Sequence, residues 1–78
     1  MSNIVEQIRQ VIERAIPGAQ AEVQDNGGGH FRISVTSAAF AGKSMLEKQR
    51  MVLGSIADMM KGEGAPIHAV DQLVTKVP

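Results

Sequence analysis

Two histidines are the side chains of this sequence best suited to bind a transition metal. The chain has 78 residues and no cysteine, so it supplies no thiolate and its metal ligands must be nitrogen or oxygen atoms. Imidazole is a borderline ligand that suits zinc, copper or iron. His30 and His68 are therefore the candidate metal ligands. Two imidazoles alone make an open and weak site, which a partner has to complete.

The segment "AFAGKS", residues 39–44, ends like the phosphate-binding loop of many nucleotide hydrolases. That loop requires the pattern G-x-x-x-x-G-K-[ST], and Ser37 occupies the position of its first glycine. The chain is also too short for the parallel sheet and second acidic motif that hold magnesium in such enzymes. We therefore interpret the segment as structural. Phe40 is expected to fill the edge of the core, Gly42 to take an unusual backbone angle, and Ser44 to start a helix.

The sequence does not predict an enzyme. Neither the serines nor the histidines belong to a nucleophile elbow motif, and the sequence shows no catalytic pair of carboxylates. The acidic residues are scattered over different elements, as Asp25, Glu47, Asp58 and Asp71 illustrate. The triple glycine at 27–29 lies between two predicted strands and not before a helix, so we interpret it as a hairpin turn and not as an anion-binding nest.

Composition and charge indicate one small cytoplasmic domain over residues 1–78. Eight basic residues balance eight acidic ones, which removes the long-range field that draws proteins onto DNA or anionic membranes. No apolar run approaches the roughly 18 residues that span a bilayer. Glu6 and Glu13 make the N-terminal segment unlike a signal peptide. With 44% hydrophobic residues, a chain of this length builds a single core of modest stability.

Helical and strand periodicities alternate along the first half of the chain. Apolar residues between Ile4 and Ile16 recur at three- and four-residue spacing, and Pro17-Gly18 ends this predicted helix. Asn3 is its predicted N-cap. Alternation at residues 19–24 and again at 30–37 predicts two strands, which the glycine-rich turn joins into a hairpin.

The second half of the chain predicts another helix and a final strand. The apolar stripe of the helix comprises Met45, Val52, Leu53, Ile56, Met59 and Met60, and it ends near the helix breakers of "KGEGAP". The strand covers residues 67–77, with one face formed by Ile67, Ala69 and Leu73. Asp71 breaks the alternation and indicates a bulge or a twist toward solvent. The predicted order is α-β-β-α-β in an α+β fold.

This order predicts where the two histidines lie. The second strand, second helix and third strand form a β-α-β crossover, so the two strands run parallel and start at the same edge of the sheet. His30 and His68 lie at those starting ends, and the odd-numbered apolar residues leave both on the face that the helices do not cover. Neighbouring strands, ~4.8 Å apart, bring the imidazoles within reach of one shared ion. If the first strand lies between them, sharing is not expected.

The linked segments "GGHFRISVTSAAFAGKSMLEKQR" and "IHAV" resemble the BolA-like family, and in particular its short bacterial branch. The similarity covers nearly the whole chain, and the motifs at these spacings are fairly specific. The resemblance implies an α-β-β-α-β domain similar to the type II KH fold, with a three-stranded mixed sheet and both helices on one face. This order agrees with the one that the periodicities predict independently.

The resemblance also implies an adaptor in iron homeostasis that partners a monothiol glutaredoxin of the Cys-Gly-Phe-Ser type. The two proteins share a [2Fe-2S] cluster, which the glutaredoxin cysteine and glutathione bind on one side. The histidine of the "IHAV" motif is the family's ligand on the other side, and it corresponds to His68. A second ligand usually comes from the loop between the first two strands. That loop, "QDNGGG", contains neither histidine nor cysteine here, which leaves His30 as the substitute.

The family is also described as binding nucleic acids and regulating transcription, which provides an alternative function. It predicts that Lys43, Lys48 and Arg50, around the start of the second helix, face phosphates. The zero net charge and the absence of tyrosine and tryptophan argue against it. Phe31 and Phe40 are the remaining aromatic residues, and both are expected in the core, where they cannot stack on bases.

Overall fold

A computed structural model describes residues 3–78, and its helices and strands follow the predicted order. The main elements are α1 (Ile4–Ala15), β1 (Gln20–Gly27), β2 (His30–Thr36), α2 (Met45–Ser55) and β3 (Ala69–Lys76). Two single turns of 3₁₀-helix lie at Ala38–Phe40 and Ala57–Met59. Over residues 3–78, every helix is too short or too polar to cross a membrane.

Helix α1 begins and ends where its sequence signals predict. The side-chain oxygen of Asn3 accepts a hydrogen bond from the Glu6 N–H at 2.9 Å, which satisfies one of the unpaired donors of the first turn. On the side facing the sheet, Ile8 and Ile12 are fully buried. Glu13 accepts a hydrogen bond from the Ala21 N–H at 3.0 Å. This bond attaches the helix to the first strand.

The sheet has the strand order β1-β2-β3, so β2 is central. β1 pairs with β2 antiparallel, which confirms the hairpin, and β2 pairs with β3 parallel, which confirms the crossover. The second and third strands are therefore direct neighbours, and β1 does not lie between them. Of the two arrangements left open by the sequence, this is the one that brings the starting ends of β2 and β3 together.

The core lies between one face of the sheet and the helices. The sheet contributes alternate residues, and the helices and loops supply the rest. The buried apolar residues are Ile8, Ile12, Ile16, Ala21, Phe31, Ile33, Val35, Phe40, Val52, Ile56 and Ile67. Burial of each large apolar side chain contributes about 1.5–3 kcal/mol relative to its exposure. The prediction that both helices cover the odd-numbered face holds for β1 and β2.

The loop between β2 and α2 is structural, in agreement with the interpretation of "AFAGKS". Phe40 is 1% exposed and fills the edge of the core. Gly42 has a φ of 76°, a conformation that favours glycine. The hydroxyl of Ser44 accepts a hydrogen bond from the Glu47 N–H at 3.1 Å and caps α2. These contacts make the segment a helix entry and not a phosphate-binding loop.

Helix α2 is shorter than predicted, and part of its predicted apolar stripe is wrong. The helix ends at Ser55, before Met59 and Met60. Leu53 is 37% exposed because it follows the fully buried Val52 and is rotated about 100° from it around the helix axis. Met45, the first residue of the helix, is 60% exposed. Its sulfur lies 4.0 Å from the Thr75 hydroxyl near the end of β3.

Strand β3 begins at Ala69 and not at Ile67, and its first residues do not alternate as predicted. Phe31 is paired with Val70 and Arg32 with Gln72, so Asp71 is an extra residue. This confirms the predicted bulge. Because of the extra residue, Val70 and Leu73 both pack against the core, whereas Ala69 is paired with His30. The predicted face of Ile67, Ala69 and Leu73 is therefore wrong at Ala69.

Candidate functional site

Both histidines lie at the edge of the sheet where β2 and β3 start. His30 is the first residue of β2, and His68 immediately precedes β3. The Gly29 carbonyl accepts hydrogen bonds from the N–H groups of His68, at 2.8 Å, and of Ala69, at 3.1 Å. These bonds tie the hairpin turn to the start of β3. Both imidazoles are exposed to solvent. We call Gly28, Gly29, His30 and His68 the histidine edge.

The imidazole of His68 packs against Gly29, on the side where any other residue would carry its Cβ atom. A Cβ atom placed on Gly29 would lie 2.8 Å from Cγ and 3.0 Å from Nδ1 of that ring, closer than real contacts allow. On the neighbouring Gly28, a Cβ atom would lie 3.9 Å from Cδ2 of His30. The two rings therefore lie against consecutive glycines of one turn. Gly29 also has a φ of 82°, so both its backbone and its surroundings require glycine.

The imidazole of His30 belongs to a hydrogen-bonded cluster with Asp71 and Asn26. Nδ1 of His30 lies 2.9 Å from Oδ1 of Asp71, and the Asn26 amide donates a hydrogen bond to Oδ2 of the same carboxylate at 3.2 Å. The bond from His30 is the main reason that the pKa of Asp71 is lowered, and the bond from Asn26 adds to it. Both side chains of the His30–Asp71 pair remain about half exposed.

Two β-bulges build this cluster. Asn26 is skipped in the β1–β2 register between Asp25 and Gly27, and Asp71 is skipped in the β2–β3 register. Both extra residues lie beside the first residues of β2, and a bulge redirects the side chain of the residue that it inserts. Sequence reasoning missed this contact, because it treated Asp71 as one of several scattered acids and gave Asn26 no role. The broken alternation at Asp71 was the available signal.

The histidine edge fits one part of a metal site and not a complete one. Over residues 3–78, no cluster of three or more histidine, cysteine or acidic side chains is arranged to hold a metal ion. An iron–sulfur cluster takes four ligands, and imidazole pairs replace thiolate pairs on one iron in some proteins. Two exposed imidazoles therefore fit half of a shared [2Fe-2S] site, provided that a second molecule supplies the remaining ligands.

The cations of the nucleic-acid hypothesis lie elsewhere. Lys43 and Arg50 are exposed and Lys48 is half-buried, around the start of α2. That end of α2 is close to the end of β3, as the contact between Met45 and Thr75 shows. The structure therefore does not bring these cations to the histidine edge. The two phenylalanines of the chain are each 1% exposed, so neither offers a ring to a nucleobase.

Comparison with known proteins places the chain in a family. A sequence profile of the family BolA, described as "BolA-like protein", matches residues 4–78. Human BolA-like protein 1 is 32% identical over 72 residues, which cover 81% of this chain and 50% of that protein. The chain thus spans about half the length of the curated relatives that it matches.

Solved structures have the same fold. The solution structure of mouse BolA1 is 30% identical and superimposes with a TM-score of 0.75, covering 99% of this chain and 68% of that one. BolA1 from Arabidopsis thaliana superimposes with a TM-score of 0.81 over 100% of this chain and 95% of that one, and its 18% identity bears on the fold alone. The matching profile, the human relative and the shared fold together show that this chain belongs to the BolA-like protein family.

Proposed function

We propose that this protein is an adaptor and not an enzyme, and that it pairs with a monothiol glutaredoxin to ligate a shared [2Fe-2S] cluster in iron homeostasis. The observation that carries the proposal is an incomplete ligand set. Two exposed imidazoles lie at one edge of the sheet, and over residues 3–78 they do not belong to any group of three or more histidine, cysteine or acidic side chains that could hold a metal ion. Such an arrangement is useful when another molecule brings the cluster and the missing ligands.

Each histidine has a separate part in this proposal. His68 is the family ligand, and its ring is seated on Gly29. His30 is the second ligand, in place of the histidine or cysteine that the first hairpin loop of this chain lacks. The glutaredoxin cysteine and glutathione supply the thiolates, which this cysteine-free chain cannot. When bound, the cluster supplies iron sites that accept imidazole nitrogen.

The test is anaerobic reconstitution of the cluster in a mixture of this protein, glutathione and a Cys-Gly-Phe-Ser glutaredoxin. Visible absorption and circular dichroism report the ligands of the iron. We expect His68→Ala to change both spectra and to weaken cluster binding in the mixed complex. Gln72→Ala is the matched control, because Gln72 is an exposed residue of β3 that pairs with Arg32 and not with His30. Spectra that His68→Ala leaves unchanged would remove this role.

The second ligand needs a separate measurement. Pulsed EPR of the reduced cluster, with this chain alone labelled with ¹⁵N, counts the imidazole nitrogens bound to iron. We expect two strong nitrogen couplings in the wild-type complex, one in His30→Ala and one in His68→Ala. A wild-type spectrum with a single coupling that survives in His30→Ala would leave His68 as a ligand and exclude His30.

A further inference from the structure

The two imidazoles of the histidine edge are held in different ways. His68 packs against Gly29, whereas His30 forms a hydrogen bond through Nδ1 with the Asp71 carboxylate. A metal-binding histidine ordinarily donates its other ring N–H to a carboxylate, carbonyl or water, and this bond decides which nitrogen faces the metal. The bond between Nδ1 of His30 and the Asp71 carboxylate has this geometry, at 2.9 Å.

The chemistry of the carboxylate determines the position of the hydrogen on His30. An ionised carboxylate accepts hydrogen bonds and donates none. An aspartate carboxylate has an ordinary pKa of ~3.9, so it is ionised at neutral pH. A neutral His30 can form the 2.9 Å contact favourably only with its hydrogen on Nδ1. The lone pair of the ring is then on Nε2, the nitrogen that does not face Asp71.

The placement of Asp71 does not follow from regular strand geometry. It is the extra residue of a bulge in β3, and the Asn26 amide that holds its second oxygen at 3.2 Å is the extra residue of a bulge in β1. Both flanking strands thus depart from regular pairing beside His30. Bulges are enriched next to functional sites because they redirect side chains. Two irregular strand pairings beside the same histidine therefore support a positioning role for the Asp71 carboxylate.

We propose that Asp71 is a positioning residue that fixes His30 in the tautomer with hydrogen on Nδ1 and so presents Nε2 to iron. This inference rests on the proposed function for the identity of the metal, but the tautomer is a property of the isolated chain. Asn26 restrains the carboxylate by holding the oxygen that His30 does not use. His68 has no part in this cluster, so its own tautomer is independent of Asp71.

The tautomer is measured by long-range ¹H–¹⁵N NMR correlations on the isolated protein at about pH 8, above the ordinary imidazole pKa of ~6.5. We expect His30 to show a protonated Nδ1 and an unprotonated Nε2. In Asp71→Ala, the population with hydrogen on Nε2 increases for His30, while the signals of His68 do not change. Asp58→Ala is the matched control, because Asp58 is an exposed carboxylate that pairs with Lys61 and not with a histidine.

Two results overturn the proposed role. The first is a wild-type His30 with its hydrogen mainly on Nε2, and the second is a tautomer population that Asp71→Ala leaves unchanged. If Asp71→Ala loses the dispersed amide spectrum of a folded domain, Asp71→Asn replaces it. The amide keeps the size of the side chain and can either accept from or donate to Nδ1, so it is expected to give a mixture of tautomers.

Cluster binding provides the second measurement. In the glutaredoxin complex, loss of a partner that orients a metal-binding histidine typically weakens metal binding about 10- to 100-fold. We therefore expect Asp71→Ala to release the cluster about ten-fold more readily than the wild type or Asp58→Ala. If the NMR result holds and cluster release does not change, Asp71 orients His30 without serving the cluster, and the proposal fails. Failure of His68→Ala to alter the cluster would instead contradict the proposed function and leave the NMR result intact.

Discussion

The two ends of β2 use their polar side chains in opposite ways. Ser37 follows the final residue of β2 and is fully buried. Its hydroxyl donates a hydrogen bond to the Pro17 carbonyl at 2.8 Å and accepts one from the Ala39 N–H at 3.0 Å. At the first residue of β2, His30 is half exposed and uses one ring nitrogen in a bond to Asp71. We call the first arrangement the serine end, and we compare it with the histidine edge.

This difference separates residues that hold the fold from residues that are available to a partner. The hydroxyl of Ser37 has both of its hydrogen-bonding functions satisfied within the chain, so it has little left to offer a ligand. An exposed imidazole with a spare lone pair can bind a ligand without disturbing the core. The segment "AFAGKS" follows the serine end, and its Phe40 and Ser44 likewise have structural roles, in the core and as the N-cap of α2.

The largest effect on stability is expected from Ser37→Ala. The substitution leaves the Pro17 carbonyl without its donor and the Ala39 N–H without its acceptor in a part-buried site. Loss of a buried hydrogen-bonding partner costs about 1–3 kcal/mol, which urea unfolding monitored by circular dichroism measures. Ser34→Ala in β2 is the control, since Ser34 is half-buried on the other face of the sheet. Equal midpoints for the two variants would contradict the assignment of Ser37 to the fold.

Gly29→Ala tests the histidine edge, and its effect on stability is expected to be smaller. An alanine held at a positive φ costs about 1–2 kcal/mol. Gly27→Ala is a matched control, because Gly27 also has a positive φ, 93°, but a Cβ atom added to it would meet nothing within 4 Å. Both variants should lose stability to the strained backbone, and Gly29→Ala somewhat more, because the His68 side chain must also move. The His68 ring should be displaced in Gly29→Ala alone, and a change in its NMR signals would show this. The same change in both variants would argue against packing of the His68 ring on Gly29.

Much of the fold could be predicted because it follows from local patterns. The strict alternation of β2 and the three- and four-residue spacing of α1 each indicate which face of the element is buried. Asn3 and Ser44 mark the helix starts. The position of both histidines at one edge then follows from the parallel crossover. The sheet order did not follow, because the sequence left open whether β1 lies between β2 and β3. The exposure of Met45 could not be predicted in this way, because it depends on where α2 begins relative to the sheet.

The polar cluster of the histidine edge could be predicted only in part. The interrupted alternation indicated that Asp71 lies in a bulge, but not which side chain it meets. Its contacts with His30 and Asn26 join residues that are 41 and 45 positions apart. No periodicity encodes such a contact, because the contact depends on two bulges in different strands, both located beside the first residues of β2. The incorrect face of Ala69 has the same origin.

The smallest effect is expected from Asp71→Asn, and its dependence on pH distinguishes it from Ser37→Ala. The pKa of Asp71 is lowered in the folded state, so its carboxylate stabilises the fold above the unfolded aspartate pKa of ~3.9. That contribution is lost as pH falls through the folded-state pKa. Urea midpoints of wild type and Asp71→Asn should therefore differ slightly at about pH 5 and converge toward about pH 2.

A hydroxyl does not titrate in this range, so the deficit of Ser37→Ala should stay constant over the same pH series. Both residues are hydrogen-bonded, but solvent screens the half-exposed Asp71 and not the buried Ser37. A large deficit for Asp71→Asn that persists at about pH 2 would mean that this side chain supports the fold in the way that Ser37 does. The carboxylate would then be structural, and the contrast between the histidine edge and the serine end would no longer separate function from stability.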